Sequence, residues 1–142
     1  MALVIDIADA VVAELREGTF SQSFTPLRRV SPQYDIAELA VLRVTVVPAS
    51  MEISNDSRMA SRHDVQIDVG IQKKLGRSLD ADIAPLCNLV DEIGEFLKRR
   101  RLSQMPQVLF LSLTNDPIYA VEHLVDNGVF TSVLRITYRA LR

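Results

Sequence analysis

The stretch from Arg43 to Leu75 constrains this chain more than any other part of it. Two runs, Leu42-Arg43-Val44-Thr45-Val46 and Val65-Gln66-Ile67-Asp68-Val69-Gly70-Ile71-Gln72, alternate apolar and polar side chains. A period of two puts the apolar set on one sheet face and leaves Arg43, Thr45, Gln66, Asp68 and Gln72 on the other. Between them lies Ser50–Arg62, rich in small polar residues yet carrying Met51, Ile53 and Met59. The segment looks too long for a turn, and a connection of that length in a small domain is usually functional or disordered. Antiparallel return of the second run onto the first is its simplest use, which makes it a projecting arm. Apolar side chains scattered along such an arm point to contact with another protein.

The remaining pattern supplies the partners of these strands. Leu3, Ile7, Val11 and Leu15 recur at helical spacing, so a helix is expected over Asp6–Glu17, with Gly18 as its terminator. Thr19–Val30 reads as extended, and Pro26 confines any strand there to a sheet edge. Ser31-Pro32-Gln33 turns the chain, and Tyr34–Leu39 leads into the first clear strand, Ala40–Val47, which His63–Leu75 answers. A second helix is expected over Asp82–Arg101, from Leu86, Leu89, Val90, Ile93, Phe96 and Leu97 on one face. Asp80 or Asp82 would cap it, Pro85 would sit in its first turn, and Lys98–Arg101 would complement the dipole at its end. The near-continuous apolar run Val108–Leu113, interrupted by Ser112, reads as a central strand covered on both faces. After an Asn115-Asp116-Pro117 turn and an irregular or short helical link, Ile118–Gly128, a last strand spans Phe130–Leu141.

The fold class that follows is α+β, with 1–142 as a single domain. An antiparallel or mixed sheet of about four to five strands would carry both helices on one face and extend a long hairpin arm. The other sheet face would hold Arg43, Thr45, Gln66, Asp68, Gln72, Arg135, Thr137 and Arg139, either solvated or against a neighbouring subunit.

Composition excludes several classes. A net charge of −2 gives no argument for a nucleic-acid surface. The one cysteine, Cys87, rules out an internal disulfide and reads as a small buried hydrophobe in a helix. No apolar run approaches the roughly 20 residues of a membrane span. An acid-rich start without a basic region argues against a signal peptide and for synthesis in a cytoplasm. His63 and His123 lack metal-ligand spacing, the five glycines form no phosphate loop, and no Gly-x-Ser-x-Gly elbow is present.

Two chemical readings stay open. Asp68, Gln72 and Lys74 share one strand face, with Asp64 and Glu52 upstream, an arrangement that would serve a Mg²⁺-dependent nuclease. Gln72 stands where such a site wants a carboxylate. Lys98–Arg101 would contact nucleic-acid phosphates or form a solvated helix end, and Arg135, Arg139 and Arg142 would face DNA or pair with acids of another subunit.

The opening Ile5-Asp6-Ile7-Ala8-Asp9-Ala10-Val11-Val12-Ala13-Glu14-Leu15, followed by Gly18-Thr19-Phe20-Ser21, resembles small structural proteins of long-tailed bacteriophages and prophages. The likeness continues through Leu42–Pro48, Asp64–Leu75 and Phe130–Tyr138, and the element order is similar to that of the tail-terminator (tail-completion) class of neck proteins. It covers nearly the whole chain, as layout rather than as a catalytic signature. The resemblance implies an α+β subunit acting without chemistry, cofactor or metal. Six copies would form a ring at the head-proximal end of the tail, stopping tube growth and offering a joining surface to the head. Partners would be further copies of the chain, the tail tube protein and head–tail connector proteins, with DNA only passing through the channel and no membrane. The protein would be made in the host cytoplasm and reside in the virion neck. A head–tail adaptor, a stopper or a minor tail protein is the alternative within the same class. Carried over by position, the interface candidates are Met51, Ile53, Met59 and Arg62 on the arm, and Arg43, Asp68, Gln72, Arg135 and Arg139 on the polar sheet face.

Overall fold

The two alternating runs form the longest strand pair of the molecule in a computed structural model, which describes residues 2–31, 36–76 and 79–142. β2 (Arg43–Asn55) and β3 (Ser61–Lys74) are antiparallel, in register from Arg43↔Gln72 to Asn55↔Ser61. β1 (Pro26–Arg28) lies parallel to β2, while β5 (Val129–Leu141) returns along the whole of β3. β4 (Leu109–Asn115) closes the other side, so the mixed sheet runs β1-β2-β3-β5-β4. As expected, Pro26 stands in an edge strand. The Ser31-Pro32-Gln33 turn falls largely outside the described residues, as do Tyr34 and Asp35 of the lead-in. A short 3-10 helix, Ile36–Ala40, precedes β2.

Alternation builds the core. Val65, Ile67, Val69 and Ile71 of β3 and Phe130, Leu134, Ile136 and Tyr138 of β5 are fully or almost fully buried on one face. That face is covered by α1 (Leu3–Glu17) and α2 (Leu79–Leu97), whose Ile7, Val11, Leu15, Leu89, Ile93 and Leu97 join it in one apolar cluster. Burying such side chains stabilises by roughly 1.5–3 kcal/mol each before entropy is counted. The α+β class, the mixed sheet and the placement of the two long helices are as the pattern predicts. A third helix, α3 (Val121–Asn127), occupies the link before β5 and ends on Gly128 at φ 61°, a left-handed position that favours glycine.

Several expectations need correction. The Val108–Leu113 run is not a central strand: β4 is an edge, and Leu109 and Leu111 are exposed. Its register shifts between Phe110 and Ser112, so a bulge at Leu111 breaks the alternation and makes an edge strand read as a near-continuous apolar run. α2 begins at Leu79 and ends at Leu97, which leaves Pro85 inside it and the basic residues 98–101 beyond it. Asp82 does not cap that helix; its Oδ2 accepts the Gly76 N–H at 2.8 Å. Gly18 ends α1 with extended backbone (φ −78°), not a left-handed cap. Close packing favours glycine there, since a Cβ would stand 2.7 Å from the Phe20 ring and 3.0 Å from Phe96, and those rings would have to shift.

Candidate functional site

The segment expected to be a long polar connection is mostly strand. Backbone pairing continues through Ser50↔Gln66, Met51↔Val65 and Ile53↔His63, leaving only residues 56–60 as the tip. Asp56 and Ser57 donate their N–H groups to the Ala60 carbonyl (3.2 and 3.1 Å), which closes the turn. Arg62 pairs with Asp56 at 2.8 Å beside it, and Ser50 Oγ donates to Gln66 Oε1 at 2.9 Å further down. β5 supports β3 to the end of this arm, where Ser61 and Arg142 exchange backbone bonds of 2.6 and 2.9 Å. The arm is thus an ordered extension of the sheet, with residues 49–59 exposed.

Met51, Ile53 and Met59 are 44%, 58% and 92% exposed. Met51 and Ile53 lie on the helix-bearing face, opposite Val65 and His63, but beyond the reach of the helices. Apolar side chains aligned on a projecting strand are the features of a contact surface. The structure therefore exposes Met51 and Ile53 on the arm's strand and Met59 at its tip, and adds exposed Leu109 and Leu111 of β4 at the far edge. Sequence reading missed that second patch because it assigned the run to the interior.

The polar face is internally paired. Arg135 donates Nε and Nη2 to the Asp68 carboxylate at 2.8 and 3.0 Å, and Arg139 does the same to Asp64 at 2.7 and 2.9 Å. Both pairs are direct cross-strand neighbours on β3 and β5, the arrangement in which opposite charges support a sheet. Hydrogen bonding by Arg139 outweighs partial desolvation and holds the Asp64 carboxyl below its ordinary range. The same contacts raise Arg139, and Asp68 raises Arg135. The acids that answer these arginines therefore come from the same chain.

The remaining candidates fall at the other end of this face. Arg43 donates Nε to the Glu38 carbonyl at 3.1 Å. Gln72 is buried, its Nε2 reaching Thr131 Oγ1 at 3.4 Å, while His123 of α3 bonds the same hydroxyl at 2.9 Å. Asp68, Gln72 and Lys74 do share a face, but the Asp68 oxygens are engaged by Arg135, and a cation there would have to displace it. Among the described residues no cluster of three or more His, Cys, Asp or Glu stands ready for a metal.

The basic run is partly committed too. Lys98 pairs with Glu95 at 3.1 Å, and Arg100 reaches Glu14 at 3.1 Å while lying 4.1 Å from the Phe96 ring centre.

The cross-strand pairs give a pH prediction. Because the folded carboxyl of Asp64 titrates below its unfolded value, its contribution is fully present above the unfolded pKa. It disappears as pH falls through the lowered folded pKa. Asp64→Asn is expected to lower the Tm at neutral pH, and the gap to the parent should close as the medium is acidified. Thermal melts over an acidic pH series check this; a gap that stays constant would contradict it.

No protein-family model matches this chain, and comparison with curated proteins yields no match.

Proposed function

We propose that this chain is a virion structural protein of a long-tailed bacteriophage or prophage, a tail terminator. It acts as a homo-oligomeric ring, with six copies as the expected number, at the head-proximal end of the tail. There it stops growth of the tube and presents a joining surface to head–tail connector proteins, with DNA passing through its channel. The observation that carries the reading is the arm: an ordered hairpin holding Met51, Ile53 and Met59 in solvent on a subunit with two helices packed on one sheet face. It agrees with the resemblance of the N-terminal helix and the three long strands to neck proteins. An apolar arm without a partner would be a liability on a free subunit, and burial against a neighbour removes it. The polar face is neutralised by its own Arg135–Asp68 and Arg139–Asp64 pairs, so it needs no partner charge for stability.

Polymerising tail tube protein with and without this chain tests the proposal. Expected are tubes capped at one end by a ring and arrested in length, seen by negative-stain microscopy. Tubes that grow without bound and carry no cap would refute a terminator.

A further inference from the structure

We infer that the open edge of β4 receives the arm of a second copy of this chain, residues 47–52 of one subunit pairing antiparallel with residues 109–114 of the next. The inference rests on the ring proposed above and names the surfaces through which neighbours join.

The sheet has two open edges among the described residues. β1 covers β2 only at Val44, Thr45 and Val46, so the outer side of β2 has no strand beside it beyond that point. On the opposite side β4 is the last strand. Which backbone groups face out follows from the alternation of antiparallel pairs. Ser61 bonds Arg142 on the β5 side, so His63, Val65 and Ile67 also bond that way. Their β2 partners Ile53, Met51 and Pro48 consequently turn their backbone groups to the outer edge. Val46 fits the same alternation, its carbonyl accepting the Arg29 N–H at 3.0 Å. On the far side, the Val133 carbonyl accepts the Asp116 N–H at 3.1 Å. Arg135, Thr137 and Arg139 therefore bond toward β4, and Phe110 and Leu113 open outward. Pro48 has no N–H and loses little at such an edge.

The rows of the two edges correspond. Met51, Val65, Tyr138 and Phe110 lie in one row across the sheet, and Pro48, Ile67, Ile136 and Leu113 in another. Glu52, Asp64, Arg139 and Leu109 form a third. Val46 and Asn115 share the row where β1 stops and β4 ends, so β4 fills the rows that β1 leaves open.

With strands along the ring axis, a neighbour related by rotation alone sets its Met51 against Phe110 and its Pro48 against Leu113. Outward backbone groups then face each other, and no slide along the strands is needed. Rotation without translation is the condition for a closed ring instead of a filament. The bulges of β2 and β4, at Ala49 and Leu111, fall in adjacent rows, so both edges bend at the same level. Charge agrees as well. Glu52 is exposed and makes no ion pair among the described residues; it would arrive at the end of β4 where Arg99 and Arg101 line a groove with Val108, Leu109 and Phe110.

The test places Glu52→Cys and Leu109→Cys together in a Cys87→Ser background. Facing positions of this non-hydrogen-bonded kind have Cα atoms about 4.5 Å apart, within disulfide reach. Oxidation is expected to give a ladder of disulfide-linked multimers, whereas Ser54→Cys with Leu109→Cys, out of register, should remain monomeric on the same gel. Met51→Pro, which removes one outward amide, is expected to eliminate assembled species while leaving the circular dichroism spectrum unchanged. Assembly without cross-linking at positions 52 and 109 would overturn this interface and leave the ring itself standing. Failure of the unmodified protein to assemble, alone or on tail tubes, would remove both.

Discussion

Met51→Asp combined with Ile53→Asp is expected to abolish self-assembly while leaving the subunit folded. Both side chains are exposed in the isolated subunit, and surface substitutions of this kind shift stability by about 0.5 kcal/mol or less. In the proposed ring Met51 stands against Phe110 of a neighbour and Ile53 adjoins the end of that paired segment, so both are withdrawn from water. A carboxylate there would be desolvated without a partner, at a cost of several kcal/mol. Two such penalties at each interface correspond to a loss of association of roughly a thousandfold or more, since each 1.4 kcal/mol is a factor of ten. Sedimentation velocity checks the assembly and thermal melting the fold. Unchanged assembly would mean that the arm is not the contact surface.

Arg100→Ala is expected to produce the largest loss of subunit stability outside the apolar core. Glu14 projects from α1 into the packed side and is only 2% exposed, with Arg100 as its one ion-pair partner among the described residues and Ser103 Oγ within 3.3 Å. Removing one member of a fully buried pair costs about 3–5 kcal/mol. Arg100 is 36% exposed, and water can partly replace it, so about 2 kcal/mol is the expected loss. Adding Glu14→Gln should recover part of that loss, because a neutral amide needs no countercharge. Urea unfolding in the Met51→Asp/Ile53→Asp background measures both without a contribution from assembly. Equal stability of Arg100→Ala and its parent would show that the pair holds nothing in place.

Position along the chain decides how much of this molecule the sequence reveals. α1, β3 and β5 are legible because each buries one side against a single layer, and their apolar residues keep a strict period of four or two. The arm is half legible. Its composition signals contact, but small polar residues hide the strand pairing that extends to Asn55↔Ser61, because exposed strands need no alternation to be stable. β4 misleads for a definite reason: the bulge at Leu111 inserts one residue, so Leu109 and Leu111 face solvent while Phe110 and Leu113 face the core side. No local pattern distinguishes that from burial on both faces. The partners of Arg135 and Arg139 also lie beyond local reading, since Asp68 and Asp64 are 67 and 75 residues away along the chain. Their pairing depends on the β3–β5 register alone. Gly18 was legible as a helix terminator, yet the reason for glycine is the Phe20 and Phe96 rings, a tertiary fact.

Closure of the chain into a ring is what the proposed function rests on. Multi-angle light scattering across a concentration series, with negative-stain imaging of any large species, measures that directly. A discrete species near six subunits with a central hole is expected, formed alone or on added tail tubes. A strict monomer at every concentration that also fails to bind tubes would contradict it.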